Sequence, residues 1–171
     1  MTEVKTLYQR QSELIQHLLE VKELSFAQDA EQMLQKNLPL AAASFLEERV
    51  CALLLEFVDA RTGGCIELRS LVEIKAVKRQ YHSLFEWDQP NGYNKFLSLF
   101  GPEFKAAVAI EIAGNPDLQR AAREFIEIGS LRNKIVHQNY ATFVVDKSAA
   151  EIFKLFEGAL QFVGFLTGRL K

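Results

Sequence analysis

The stretch GNPDLQRAAREFIEIGSLRNKIVHQNY, residues 114–140, carries the clearest structural signal in the chain. Asn115 is a good N-cap, Pro116 suits the first helical position, and Asp117 is favoured by the dipole at a helix N-terminus. Apolar residues then recur at every third or fourth position, which predicts a long helix over residues 116–139.

The chain before this helix shows the same spacing of apolar residues. We predict an N-terminal helix within residues 1–38, from about Thr6 to Gln35, because Asn37 and Pro39 are typical of a helix end. A second helix within residues 40–62 should stop at the glycine pair of residues 63–64. These two helices are expected to form an antiparallel hairpin.

The middle of the chain predicts shorter helices within residues 67–113. One should run from about residue 68 to residue 85, followed by the polar break WDQPNGYN at residues 87–94 and by a Gly101-Pro102 helix start. The inward face of the helix predicted for residues 68–85 should carry Leu71, Ile74, Tyr81 and Phe85. Its outward face should carry Lys75, Lys78 and Arg79.

After residue 140 we expect a loop or extended segment over 141–147 and then a C-terminal helix over 148–170, capped by Ser148. Strand alternation is nearly absent from the sequence. The predicted fold class is therefore all-α, in a single domain of residues 1–171, which is an ordinary length for one domain.

Composition sets limits on function. The 20 basic and 22 acidic residues leave a formal charge of −2, so RNA binding would need a local basic patch. Cys51 and Cys65 are too few for a disulfide framework or a zinc site. The N-terminus is unlike a signal peptide and no apolar run is long enough to span a membrane, so we expect a cytoplasmic protein that is neither exported nor membrane-spanning.

Arg132 is the unusual residue of the long helix. A helical wheel places it on a stripe that is otherwise apolar and that contains Ala122, Phe125, Gly129 and Val136. A guanidinium cannot lose its charge, so there it must meet a carboxylate, a second subunit or an anionic ligand. Such a break in the pattern is typical of a functional site.

Asn133 and His137 are four residues apart and so share one flank of the helix. Arg132 and His137 are five apart and diverge by about 140°. The length of the arginine side chain, a loosened helix end or a second subunit must bring them together.

The segment RNKIVH, residues 132–137, resembles the R-x4-6-H motif of the HEPN superfamily, with the polar residue that often follows the arginine. The upstream FLSLFGPEF, residues 96–104, and the place of the motif in a penultimate long helix are similar to the RiboL-PSP branch. The likeness extends from about Ala41 to Leu170. It implies a HEPN-like bundle of about five to seven helices.

The resemblance further implies a homodimer in which two copies of the motif line one cleft, where RNA is cut without a metal or other cofactor. The ribose 2′-OH would attack the adjacent phosphate, leaving a 2′,3′-cyclic phosphate and a 5′-OH. Arg132 would hold the phosphate, His137 would act as general acid or base, and Asn133 would orient His137 or donate to a phosphate oxygen. A second His137, from the partner, would supply the other proton transfer.

Other residues have weaker claims. Glu47 lies on the buried side of the second helix and could pair with Arg132 as a supporting residue. Lys75, Lys78, Arg79 and Lys134 could contact RNA phosphates, although a basic cluster is more often a solvated face. Trp87 and Tyr93 could stack on bases or be buried at a loop edge.

Plainer interpretations stay open at this point. His137 could simply be favoured by the dipole at a helix C-terminus, and Arg132 could form a structural ion pair with Glu47 or Glu48. His17 and His82 have no partner at catalytic spacing, so we interpret both as surface residues.

The leading functional hypothesis is a cytoplasmic endoribonuclease that serves as a toxin or a phage-defence effector, with a neutralising antitoxin or a regulatory protein as a further partner. Its rivals are a catalytically inactive HEPN module that binds a nucleotide or a protein partner, and a structural helical adaptor.

Overall fold

The structure is a computed structural model that describes residues 2–78 and 80–171. Within these residues the chain forms seven α-helices and no strand. The α-helices are α1 (Glu3–Glu20), α2 (Leu24–Thr62), α3 (Ile66–Val72), α4 (Tyr93–Ser98), α5 (Pro102–Gly114), α6 (Pro116–His137) and α7 (Ala149–Leu170). The all-α prediction is confirmed.

The prediction of one helix from Thr6 to Gln35 is wrong. The first helix ends at Glu20, and a tight turn at residues 21–23 reverses the chain before α2 begins. Lys22 takes a left-handed backbone with φ of 64°, which is unfavourable for a residue with a side chain. The turn contains no glycine or proline, so the sequence gives no sign of it. The packing of α1 along α2 offsets the energetic cost of the left-handed backbone at Lys22.

The predicted helix end at Asn37 and Pro39 is also wrong, since α2 continues through both residues to Thr62. Pro39 lacks the N–H that would bond to the carbonyl of Gln35, which weakens the helix at that turn. Leu38, Pro39 and Ala42 are all buried, however, and this packing outweighs the missing hydrogen bond. The antiparallel hairpin therefore consists of α1 and the first part of α2.

The helix predicted for residues 68–85 is broken. After α3 comes a π-helical turn, Glu73–Val77, and then a single 3₁₀ turn, Tyr81–Ser83. A regular helical period cannot be extrapolated across a π turn. Leu71 and Ile74, predicted to be inward, are exposed, whereas Tyr81 and Phe85 are buried as predicted.

The later helix starts follow their local signals. The side chain of Asn115 accepts hydrogen bonds from the N–H groups of Asp117 and Leu118, 3.1 Å each, and Pro116 is the first residue of α6. Ser148 and Glu151 form a capping box at the start of α7. These caps fix the directions of α6 and α7, which pack along each other.

An aromatic cluster fills the core beside α6. The ring centroids of Phe85 and Phe96 are 5.0 Å apart, those of Phe85 and Phe125 are 5.0 Å apart, and those of Trp87 and Phe125 are 5.8 Å apart. Gly129 lies directly against Trp87, since a Cβ at that position would be 2.0 Å from a ring carbon. The glycine thus lets the loop after the 3₁₀ turn pack onto α6 one turn before Arg132.

No helix in the part of the chain that the structure describes combines the length and the apolar character needed to cross a bilayer.

Candidate active site

The apolar stripe of α6 leaves the core at Arg132. Ala122, Phe125 and Gly129 are buried, Arg132 is half-buried, and Val136 is half-exposed one turn later. Arg132 therefore stands at the boundary between the packed core and solvent. From this position a charged group can remain partly hydrated while its stem is buried.

The Arg132 guanidinium has no carboxylate partner among the described residues. None of the six ion pairs in residues 2–78 and 80–171 includes it, so the pair considered with Glu47 or Glu48 is not formed. Its Nη1 instead donates to Oδ1 of Asn133 at 3.1 Å. One hydrogen bond leaves most of the five N–H donors of the guanidinium available to an anion.

Glu47 nevertheless faces the same space as Arg132. Both line a small cavity of about 10 Å³, together with Tyr81, His82 and Trp87. Such a volume has room for about one water molecule. Three elements therefore converge here: α2 through Glu47, the 3₁₀ turn through Tyr81 and His82, and α6 through Arg132.

The pKa of the Tyr81 hydroxyl reports the charges around this cavity. Burial raises that pKa well above its usual value of 10, the negative charges of Glu47 and Cys51 add to the rise, and the positive charge of Arg132 opposes it. The pKa of the Cys51 thiol rises to about 11, mainly through burial and partly through Glu47. Cys51 is thus an inert, half-buried thiol, in keeping with its place in an apolar run.

His82 is exposed, as interpreted from the sequence, but the charges around its ring are a feature that sequence reasoning missed. Burial lowers its pKa below the usual 6.5, and so do the positive charges of Arg132 and His137, while Glu47 opposes them. His82 therefore lies within electrostatic reach of Arg132, His137 and Glu47. Its separation from Arg132 in sequence, 50 positions, hides it from any spacing rule, and no signal in the sequence points to it.

His137 is the last residue of α6 and is exposed. The segment that follows is fastened to α2: Lys36 donates from Nζ to the carbonyl oxygen of Tyr140 at 2.9 Å, and the Tyr140 hydroxyl donates to Oδ1 of Asn37 at 2.8 Å. The segment that follows α6 is thereby held against α2.

Asn133 lines a groove of about 740 Å³. The loop of residues 86–91 forms most of its wall, and its lining includes the amide residues Gln89, Asn91, Asn94 and Asn133 and the acidic residues Glu86 and Asp88. This volume falls within the range of small-molecule sites. Amide side chains can both donate and accept hydrogen bonds, as a nucleobase edge requires.

The basic residues proposed to contact RNA lie on separate elements. Lys134 is exposed on α6 and lines a second groove with Arg123, across the 87–90 loop. Lys75 is exposed in the π-helical turn, and Lys78 pairs with Glu73 at 3.0 Å. Arg79 lies outside the described residues.

Trp87 and Tyr93 are buried, with 8% and 6% of their surfaces exposed, so neither offers an open face to a base. His17 is exposed on α1, as interpreted from the sequence. Within the described ranges, no three His, Cys, Asp or Glu side chains are grouped as ligands of a metal ion would be.

Comparison with known proteins agrees with this architecture. A family model described as RiboL-PSP-HEPN matches residues 5–170, nearly the full length. No curated protein and no solved structure gives a significant match. A match of this extent shows that the chain belongs to the RiboL-PSP-HEPN family.

Proposed function

We propose that this chain is a metal-independent endoribonuclease whose site is formed by Arg132, Asn133 and His137. The observation that carries the proposal is a half-buried guanidinium without a carboxylate partner among the described residues. Such a group is suited to an anion that arrives from outside, and a phosphodiester has the geometry that a guanidinium binds best. Membership in the HEPN family supports an RNA or nucleotide as that anion.

Arg132 would bind the scissile phosphate and stabilise the charge that develops on it in the transition state. Asn133 accepts a hydrogen bond from Arg132, so it would hold the guanidinium in place and keep its own amide N–H groups for a phosphate oxygen. Glu47, across the small cavity, would act on the site through its charge.

His137 would transfer a proton in a reaction that starts with attack of the ribose 2′-OH on the phosphate. This route gives a 2′,3′-cyclic phosphate and a 5′-OH, and it spares DNA because DNA lacks the nucleophile. The exposed position of His137 at the end of α6 supports the role, since its imidazole is open to a ligand. No cofactor is part of the proposal.

The test is incubation of total RNA with the purified protein in EDTA, followed by mapping of the cut ends. We expect cleavage by the wild type, 2′,3′-cyclic phosphate and 5′-OH ends, and a loss of about 10²–10⁴-fold in His137→Ala. His17→Ala is the matched control and should cleave like the wild type, since His17 is exposed on α1. Cleavage that stops in EDTA, or that His137→Ala retains in full, would refute the proposal.

A second candidate function is nucleotide binding without cleavage. The groove of about 740 Å³ beside Asn133 favours it, since its volume suits a small ligand. Binding of a nucleotide that is lost in Arg132→Ala, by a protein that leaves RNA intact, would select this function instead. A structural adaptor would show neither activity.

The wider role in the cell is also part of the proposal. We place the protein in the cytoplasm as a toxin or phage-defence effector that works as a homodimer and is checked by an antitoxin or regulatory partner. The half-exposed Val136, beside the proposed site, supports contact with a second copy there. Expression should slow host growth, and His137→Ala should relieve the effect.

A further inference from the structure

The backbone of His82 is held in a fixed position. His82 is the middle residue of the 3₁₀ turn, which is closed by hydrogen bonds from the Ser83 N–H to the Gln80 carbonyl, 2.8 Å, and from the Leu84 N–H to the Tyr81 carbonyl, 3.0 Å. The carbonyl oxygen of His82 also accepts a hydrogen bond from Nε1 of buried Trp87 at 2.9 Å. The turn is therefore anchored to the core on its inner side.

His82 lies at the edge of the proposed site. It lines the small cavity together with Arg132 and Glu47, and its ring meets the Tyr81 ring edge to face, with centroids 5.6 Å apart. The residue as a whole is exposed, so a ligand can reach the imidazole. His82 thus combines a fixed backbone, an open side chain and a place beside the guanidinium.

The charges around the ring favour its neutral form. Burial lowers the pKa of His82, Arg132 and His137 from α6 lower it further, and Glu47 from α2 limits the decrease. At neutral pH the ring is then mostly unprotonated, which is the state that can accept a proton.

We propose that His82 is the general base of this site and takes the proton of the ribose 2′-OH, while His137 supplies the proton to the leaving 5′-oxygen. The inference rests on the proposed function, since it assigns a role within that same reaction. Arg132, which lines the same small cavity as His82, would bind the phosphate.

The proposed step is balanced in atoms and charge. The bond between 2′-O and phosphorus forms as the 2′-OH proton moves to a ring nitrogen of His82. The bond between phosphorus and 5′-O breaks as that oxygen takes a proton from the His137 imidazolium. His82 ends protonated and His137 neutral, and proton exchange with water restores both.

One chain would then hold both imidazoles that the reaction needs. A second His137 from a partner subunit would no longer be required for proton transfer, in contrast to the expectation from the sequence. Dimerisation would act on stability or RNA binding instead.

The experiment compares two RNA oligonucleotides that contain a mapped cut site, in EDTA. One has the natural linkage, and the other has sulfur in place of the bridging 5′-oxygen. A thiolate leaves without being protonated, so the sulfur substrate needs a general base but no general acid. The proteins are the wild type, His82→Asn, His82→Gln and His137→Ala, with His17→Asn as the matched control, and thermal unfolding identifies the folded variants.

On the natural linkage we expect His82→Asn, His82→Gln and His137→Ala each to cleave about 10²–10⁴-fold more slowly than the wild type. On the sulfur linkage His137→Ala should recover to near the wild-type rate, while the His82 variants stay slow. His17→Asn should match the wild type on both.

Two results would refute the role of His82 as the base without refuting the proposed function. Folded His82 variants that cleave the natural linkage within about twofold of the wild type would show that His82 is not part of the chemistry. Recovery of the His82 variants on sulfur would show that His82 is not the base. A wild type that cuts neither substrate would instead refute the proposed function itself.

Discussion

At the scale of single residues, the proposed site brings Arg132 of α6 and His82 of the 3₁₀ turn to one small cavity. Arg132 could be singled out because a fixed charge interrupts an apolar stripe, and the helical wheel is a local rule. His82 could not, because its approach to Arg132 depends on the broken segment between α3 and α4. Residues that only tertiary folding brings together have no characteristic spacing in the sequence.

The first prediction concerns the shape of the charged group at residue 132. Arg132→Lys keeps the positive charge but loses the planar fork that binds two phosphate oxygens at once. We expect cleavage to fall by about 10²–10³-fold, as measured by single-turnover rates. Arg10→Lys, an exposed residue of α1, should have no effect. Equal activity of Arg132→Lys and the wild type would mean that the charge alone is sufficient.

The second prediction concerns the charge of Glu47. Its carboxylate favours the protonated form of His82, so Glu47→Gln should lower the pKa of His82 further. An NMR titration of the His82 ring measures this shift directly. Because the base must be neutral to work, the acid side of the pH–rate profile should move to lower pH as well.

Glu48→Gln provides the control, since Glu48 is the exposed neighbour of Glu47 on α2. It should leave the titration of His82 unchanged. If Glu47→Gln raises the pKa of His82 or has the same effect as Glu48→Gln, then Glu47 does not act on the imidazole as described.

At the scale of helices, a boundary could be predicted from the sequence when the residues that determine it are close together in the chain. The caps at Asn115 and Ser148 bond to residues two or three positions away, so the sequence alone predicts them. The course of α2 through Pro39 depends on neighbours from distant parts of the chain, which outweigh a local penalty. The turn at Lys22 has the same origin, since packing of α1 on α2 stabilises an unfavourable backbone.

The third prediction tests the contact between α6 and the Trp87 loop. Gly129→Ala would place a methyl group 2.0 Å from the Trp87 ring, and a buried indole has little room to move. We expect a loss of about 1–3 kcal/mol in the free energy of unfolding, seen as a lower Tm. Cleavage should also weaken, because Trp87 holds the carbonyl of His82.

Gly164→Ala is the matched control within α7. A Cβ there meets no atom within 4 Å, so the substitution should stabilise the helix by roughly 0.5–1 kcal/mol. A Gly129→Ala protein as stable as the wild type would show that the Trp87 loop is not tightly packed on α6.

At the scale of the whole molecule, the bundle gathers α2, the 3₁₀ turn and α6 around one small cavity. The formal charge of −2 gives no general attraction to RNA, so the proposed RNA binding would depend on Arg132 and on a nearby basic residue such as Lys134. The family assignment covers nearly the full length and agrees with the all-α fold. The pairing of elements at the site could be seen only in three dimensions.

The fourth prediction concerns whether His82 and His137 of one site belong to the same chain. His82→Asn and His137→Ala protomers, co-expressed with different tags and purified as mixed assemblies, should show no activity beyond the sum of the two variants. If each site took one histidine from each subunit, one of the two sites in every mixed dimer would be intact, and about half of the wild-type activity would return. That recovery would place the site between two chains.

The central claim is that Arg132, His82 and His137 act together on an RNA phosphodiester. The nucleophile is the 2′-OH of the adjacent ribose. The most direct test is single-turnover cleavage, in EDTA, of an RNA oligonucleotide with a mapped cut site and of the same oligonucleotide with hydrogen in place of that one 2′-OH. We predict that the first is cut to a 2′,3′-cyclic phosphate and a 5′-OH, while the second is bound but left intact. Cleavage of the deoxy-substituted strand at the same position would contradict the account.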